Sequence, residues 1–210
     1  LGVSTQMPLF PERILFILVS ERRHLFVLDQ FLVEVKTLNY DTTILVSAMV
    51  WSPDRNVVYL TGNFGWMRAL KLDVTTSVSG AHAKWVSVWI RHDPDNSANC
   101  LAYDNINNCL YASTKADVLI INPDDGALIY KFPTGHTLPI SSIAFSQEHL
   151  ILLTASGDGA IKMWRICEFK ERLYQTISNK PLGPSLLSID TSSIVSVSYE
   201  RVCRRYQLVT

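Results

Sequence analysis

His136 and Asp158, taken with Thr154 or Ser156, carry the side-chain types of a base, an orienting acid and a hydroxyl nucleophile. The frame that such chemistry needs is missing. The chain has no G-x-S-x-G elbow, no phosphate-binding glycine loop and no H-E-x-x-H pair. His24, His82, His92, His136 and His149 are scattered without metal-ligand spacing. Asp93-Pro94-Asp95-Asn96 lacks the alternation and distal glutamate of a calcium loop and reads as a turn. Asp124-Asp125-Gly126 reads as a hairpin turn. No catalytic residue, no metal ligand and no cofactor is expected.

Cysteines stand at 100, 109, 167 and 203, without C-x-x-C spacing. A hairpin turning over Asn105 to Asn108 sets Cys100 opposite Ser113, so Cys100 and Cys109 do not pair. Reduced thiols fit an intracellular, cytoplasmic protein.

The elements that must position these side chains are strands. The 210 residues are 48% hydrophobic and 18% charged, a globular composition able to bury a core. Lysine plus arginine equals aspartate plus glutamate, 19 against 19, so the basic surplus of a nucleic-acid binder is absent. Arg201, Arg204 and Arg205 cluster near the end and read as a solvated edge strand. Apolar runs such as Ile14 to Val19 fall far short of the roughly 20 residues of a spanning helix. Nucleic-acid binding and membrane insertion are therefore not expected. Leu1 in place of an initiator methionine suggests a processed chain or a fragment.

Short runs rich in Val, Ile, Leu, Tyr and Phe alternate with clusters of Asn, Asp, Gly, Ser and Pro, as in antiparallel strands joined by tight turns. Grouped in fours they repeat. Aligned on the end of each third strand, at Leu28, Leu72, Asn122, Trp164 and Tyr206, the groups are separated by 44, 50, 42 and 42 residues. A four-stranded unit at such a period cannot bury both faces alone, which predicts an all-β propeller of four-stranded antiparallel blades. The expected blades are 12–38, 46–90, 100–132, 140–177 and 186–208. The first lacks an opening strand and the last a closing one, giving about four and a half. Two unpaired edges point to a portion of a larger propeller, with completion by a partner chain as the alternative.

One blade carries a family pattern. Gly135-His136, the strand Ile143-Ala144-Phe145-Ser146, Thr154, Asp158-Gly159 and Trp164 resemble the WD-repeat family in type and spacing. The resemblance implies a hydrogen-bonded chain from Trp164 through Thr154 and His136 to Asp158, a structural reading of the same residues that suggest a triad. The chemistry is sound, because a buried indole N–H needs an acceptor and a carboxylate can orient an imidazole. Other blades depart from the pattern. The last keeps Ser196, Glu200 and Tyr206 at matching offsets without a histidine; the third has Ser113 and Asp117 but Pro123 at the tryptophan position; the second closes Leu72-Asp73 and its turn, Asn63 to Trp66, lacks the aspartate.

The resemblance also implies one face formed by the loops entering each first strand and the turns between second and third strands. Those loops supply Tyr40, Phe64, Trp66, Arg91, Lys115, Leu138, Tyr199 and Arg201, a mixture suited to a protein interface. Trp66 is read as a turn residue, and Trp85 and Trp89, of equal parity, as facing one side of their strand. The expected function is a non-catalytic protein–protein interaction scaffold in an intracellular multi-subunit assembly. A ubiquitin-ligase substrate receptor is the alternative, although Trp164 is followed by Arg165-Ile166-Cys167 and not by the Asp-x-Arg such receptors often carry. A propeller enzyme is less favoured, since the first strands (Ser-Ala-Met-Val, Leu-Ala-Tyr, Ser-Ile-Ala-Phe, Leu-Ser-Ile) repeat no carboxylate or histidine.

Overall fold

The computed structural model describes residues 2–6, 14–19, 24–28, 34–39, 45–77, 80–167, 170–178, 184–189, 193–198 and 203–207. Blade one comprises β1 (Gly2–Gln6), β2 (Ile14–Val19), β3 (His24–Leu28) and β4 (Glu34–Asn39). Blade two comprises β5 (Val46–Ser52), β6 (Val57–Gly62), β7 (Trp66–Ser77) and β8 (Gly80–His92). Blade three holds β9 (Cys100–Asp104), β10 (Cys109–Ser113), β11 (Asp117–Ile121) and β12 (Leu128–Pro133). Blade four holds β13 (Ile140–Ser146), β14 (Ile151–Ser156), β15 (Ala160–Cys167) and β16 (Lys170–Ser178). The fifth sheet has three strands, β17 (Pro184–Ile189), β18 (Ser193–Ser198) and β19 (Cys203–Gln207).

Every sheet is an antiparallel meander in chain order, and the fold is a β-propeller. Among the described residues, four sheets have four strands and a fifth has three. The expected absence of an opening strand in blade one is corrected: Gly2–Gln6 pairs along β2, from Gly2 opposite Leu18 to Gln6 opposite Ile14. Its sequence, Gly-Val-Ser-Thr-Gln, has no apolar run to mark it.

Second strands are the blade interiors. All six residues of β6 and of β14 and all five of β10 are buried, because both faces of a blade are covered. Turns into these strands repeat one backbone device. Asn56, Asn108 and Leu150, each just before a second strand, have φ of 54°, 52° and 54°. Asparagine tolerates that left-handed region; leucine does so at a steric cost.

A bulge also recurs. In all four of the four-stranded sheets the register between third and fourth strands shifts once, at Val27/Leu28, Ala69/Leu70, Ile120/Ile121 and Met163/Trp164. The shift corrects the reading of the β8 tryptophans. Trp89 lies opposite Ala69 and Trp85 opposite Leu72, with Val88 as the extra residue, so the two rings face opposite sides. Trp89 packs beside Tyr59 at 6.1 Å between centroids, and Trp85 meets Trp51 edge-on at 6.4 Å.

The chain forms two compact units, residues 1–97 with 124–126, and 98–123 with 127–210. In the second, Tyr111, Val118, Ile120, Phe132, Leu152 and Trp164 form one apolar cluster between blades three and four. Ile151, Leu153, Met163 and Ile194 form another between blades four and five. The hairpin register is the one that sets Cys100 opposite Ser113, and Cys100, Cys109 and Cys203 are free thiols. Burial, with the Asp104 charge beside it, pushes Cys109 up to about 11. Among the described residues no three His, Cys, Asp or Glu side chains gather to hold a metal, and no helix is long and apolar enough to cross a membrane.

Candidate interaction surface

Four side chains of blade four are joined in series. Trp164 Nε1–H donates to Thr154 Oγ1 at 3.0 Å, Thr154 lies 2.9 Å from His136 Nε2, and His136 Nδ1 lies 2.9 Å from Asp158 Oδ2. An indole N–H can only donate and a carboxylate can only accept, so Trp164 donates to Thr154 and Nδ1–H donates to Asp158. In the uncharged imidazole Nε2 is then the acceptor, and the Thr154 hydroxyl donates to it.

The electrostatics agree. Burial holds the His136 imidazole below its ordinary 6.5, outweighing the opposing pull of Asp158. Burial alone would raise Asp158, but hydrogen bonds from the Ala160 and Thr137 amides and from His136 leave it below its ordinary 3.8. Burial thus favours the uncharged imidazole, hydrogen-bonded to the Asp158 carboxylate.

This series fastens a loop. Asp158 Oδ2 also accepts from Thr137 N at 2.9 Å, Ser156 Oγ donates to Leu138 O at 2.7 Å, and Lys162 Nζ donates to Thr134 O at 2.7 Å. The backbone from 134 to 138 is thus fixed against the β14–β15 turn, and Leu138 is left 50% exposed at its tip. The Thr154 hydroxyl is spent on His136 and the indole, so it is not free as a nucleophile. Where hairpin register aligns the blades, Leu60 and Ala112 stand at the Thr154 position, and Leu70 and Ile121 at that of Trp164. Blades two and three have no hydroxyl or indole there, and the tryptophan position of blade three is Ile121, not Pro123.

That geometry coincides with a sequence-family match. The model of the WD domain, G-beta repeat, matches residues 126–165. Residues 126–165, from before β12 to β15, thus resemble a WD repeat. The fold is similar to the crystal structure of the computationally designed Ika4 protein, with a TM-score of 0.62 and 16% identity over 80% of this chain and 94% of that one. No curated protein matches the sequence. WD repeats generally mediate protein–protein interaction.

The other loop residues lie as follows. Phe64 is in the short 3-10 turn Asn63–Gly65 at φ 59° and ψ 26°, and is 73% exposed. Leu45, 62% exposed, adjoins it: Asn63 N donates to Leu45 O and Leu45 N to Asn63 Oδ1, both at 3.1 Å. Leu45 was not among the residues expected from sequence, where only its exposed place in the loop entering β5 could have marked it. Trp66 opens β7, correcting its reading as a turn residue, and stacks on His92 at 4.6 Å. Arg91 is engaged internally, donating to Gly126 O at 3.0 Å and Asp93 Oδ2 at 2.7 Å. Lys115 is exposed, and its carbonyl accepts from Ile140 N at 2.8 Å. Tyr40, Tyr199 and Arg201 lie outside the described residues.

Proposed function

We propose that this chain is a non-catalytic protein-binding scaffold within an intracellular multi-subunit assembly, and that the loop carrying Phe64 is one of its contact points. The observation that carries the reading is Phe64 itself. A large aromatic side chain is held in the left-handed region, at a cost of about 1–2 kcal/mol, in a place where it buries little. Gly65 follows at φ 78°, and a Cβ there would collide with the Asp93 carbonyl, so the turn is tightly seated. An exposed aromatic on a rigid loop, beside exposed Leu45, is an anchor of the kind that dominates protein interfaces. The free thiols support a reducing compartment, the cytoplasm being the simplest.

The test is quantitative affinity capture from cells with the full chain as bait, wild type against Phe64→Ser combined with Leu45→Ser. Stoichiometric partners recovered by the wild type should be lost or much reduced with the variant. Equal recovery of every partner by both baits would reject this surface.

A further inference from the structure

Blades three and four pass from first to second strand through turns of equal length, residues 105–108 between paired Asp104 and Cys109, and residues 147–150 between paired Ser146 and Ile151. Both turns belong to the same compact unit. Gln147 Nε2 donates to Tyr103 O at 2.8 Å, which fastens the second turn beside the strand end from which the first departs. In the first turn the Asp104 carboxylate is buried and points inward. It accepts from the Ile106 and Asn107 amides, the Asn107 side chain and the Tyr111 hydroxyl. That network fixes the turn and leaves Ile106 58% exposed. In the second turn Ser146 Oγ accepts from His149 N at 3.3 Å, and Glu148 and Leu150 are exposed. Ile106 and Glu148 hold the same place in their turns.

Leu150 is costly where it stands. Its left-handed backbone, at φ 54°, costs a leucine about 1–2 kcal/mol, while Asn56 and Asn108 fill the same position with a residue that tolerates it. The exposed side chain recovers little of that cost by burial. Strain of this kind persists where the residue is used, and an apolar side chain presented to solvent is used by being covered.

Charge sets the sign of what covers it. Neither turn contains lysine or arginine, and Glu148 is the exposed carboxylate. Arg165, opposite Ile151, is turned to the Tyr174 ring of β16, and His149 is half-buried. The two turns therefore present two apolar side chains and an acid, and the complementary surface is apolar with a cation.

We propose that Ile106, Glu148 and Leu150 receive a basic, apolar segment of a partner protein, which sets apolar side chains on Ile106 and Leu150 and a lysine or arginine against Glu148. The surface lies on turns other than the Phe64 loop and does not rest on that reading.

The test presents the full chain to a random-peptide phage library that has first been depleted on the Ile106→Ser, Leu150→Asn double variant. Depletion removes peptides that bind elsewhere. The survivors should combine Leu, Ile, Phe or Trp with Lys or Arg and be poor in Asp and Glu. A surviving peptide, made synthetically and titrated, should bind Leu150→Asn about tenfold more weakly than wild type, the effect of one leucine no longer buried. Asparagine suits the left-handed turn, so this loss of binding should come without loss of stability, which separates it from unfolding. Glu148→Lys should weaken the same peptide by about tenfold or more. Phe64→Ser should leave its binding unchanged, which separates a failure here from a failure of the loop reading. The proposal is overturned if no peptide survives depletion, if the survivors are acidic, or if their binding is indifferent to Leu150→Asn or to Glu148→Lys.

Discussion

Trp164 and Thr154, on adjacent strands and ten residues apart, share a 3.0 Å hydrogen bond on which the rest of the blade-four series depends. The Thr154 hydroxyl accepts from the indole and donates to His136 Nε2, so it is the one group that both neighbours need. Thr154→Val keeps the shape and removes the oxygen, leaving a buried indole N–H and a buried imidazole lone pair unpaired. The expected cost is about 2–4 kcal/mol, read from the urea midpoint, while Thr154→Ser stays within about 1 kcal/mol of wild type. A valine variant as stable as wild type would show the series to be incidental.

The same series sets a pH dependence with a definite sign. His136 is held below its ordinary 6.5 in the folded chain, so on acidification the unfolded state takes up its proton first. Stability contributed by neutral His136 is present above about pH 6.5 and is lost as pH falls through the folded value. Asp158, held below its ordinary 3.8, adds a second loss at lower pH, with the same sign. Denaturant midpoints between about pH 7 and pH 4 should fall for wild type. The first part of that fall should flatten in His136→Gln. A wild-type midpoint that rises on acidification to about pH 5 would contradict the neutral tautomer.

Much of the architecture is legible in the residue pattern, because strand and turn chemistry are local. The runs from Ile14 to Val19 and from Cys109 to Ser113 begin where their apolar residues begin, and Asn105 to Asn108 form the expected turn. What escapes is set by register, which depends on a partner strand. Nothing in Trp85-Val86-Ser87-Val88-Trp89 announces that Val88 is extra, so equal parity misplaces one tryptophan. For the same reason Leu72 and Asn122 miss the position equivalent to Trp164, which hairpin register gives to Leu70 and Ile121. The WD-repeat series is legible because its four residue types are chemically specific. The Phe64 turn is only partly so, since Asn-Phe-Gly signals a bend without saying that phenylalanine takes the left-handed position.

Opposite placement of Trp85 and Trp89 has an energetic consequence. Residues that touch couple, and residues on opposite faces of a blade add. A double-mutant cycle of Trp51→Leu with Trp85→Leu should show about 0.5–1.5 kcal/mol of coupling for the edge-on ring pair. The cycle of Trp85→Leu with Trp89→Leu should be additive to within about 0.5 kcal/mol. Strong coupling in the second cycle and none in the first would restore the single-face arrangement.

Leu150 occupies the position that asparagine fills in blades two and three. Its φ of 54° matches those of Asn56 and Asn108, and each residue directly precedes a buried second strand. Leucine has no side-chain oxygen to offset the left-handed conformation, and with 42% of its surface exposed it recovers little by burial. Leu150→Asn should therefore stabilise the chain, by about 0.5–1 kcal/mol in denaturant unfolding, without changing the m-value. Leu150→Gly relieves the same clash but enlarges the unfolded ensemble, so its gain should be smaller than that of asparagine. Leu150→Val, β-branched and less tolerant of positive φ, should be destabilised relative to both. The order Asn above Gly above wild type above Val is specific to a strained backbone. A set ranked by hydrophobicity would mean instead that Leu150 is held by packing.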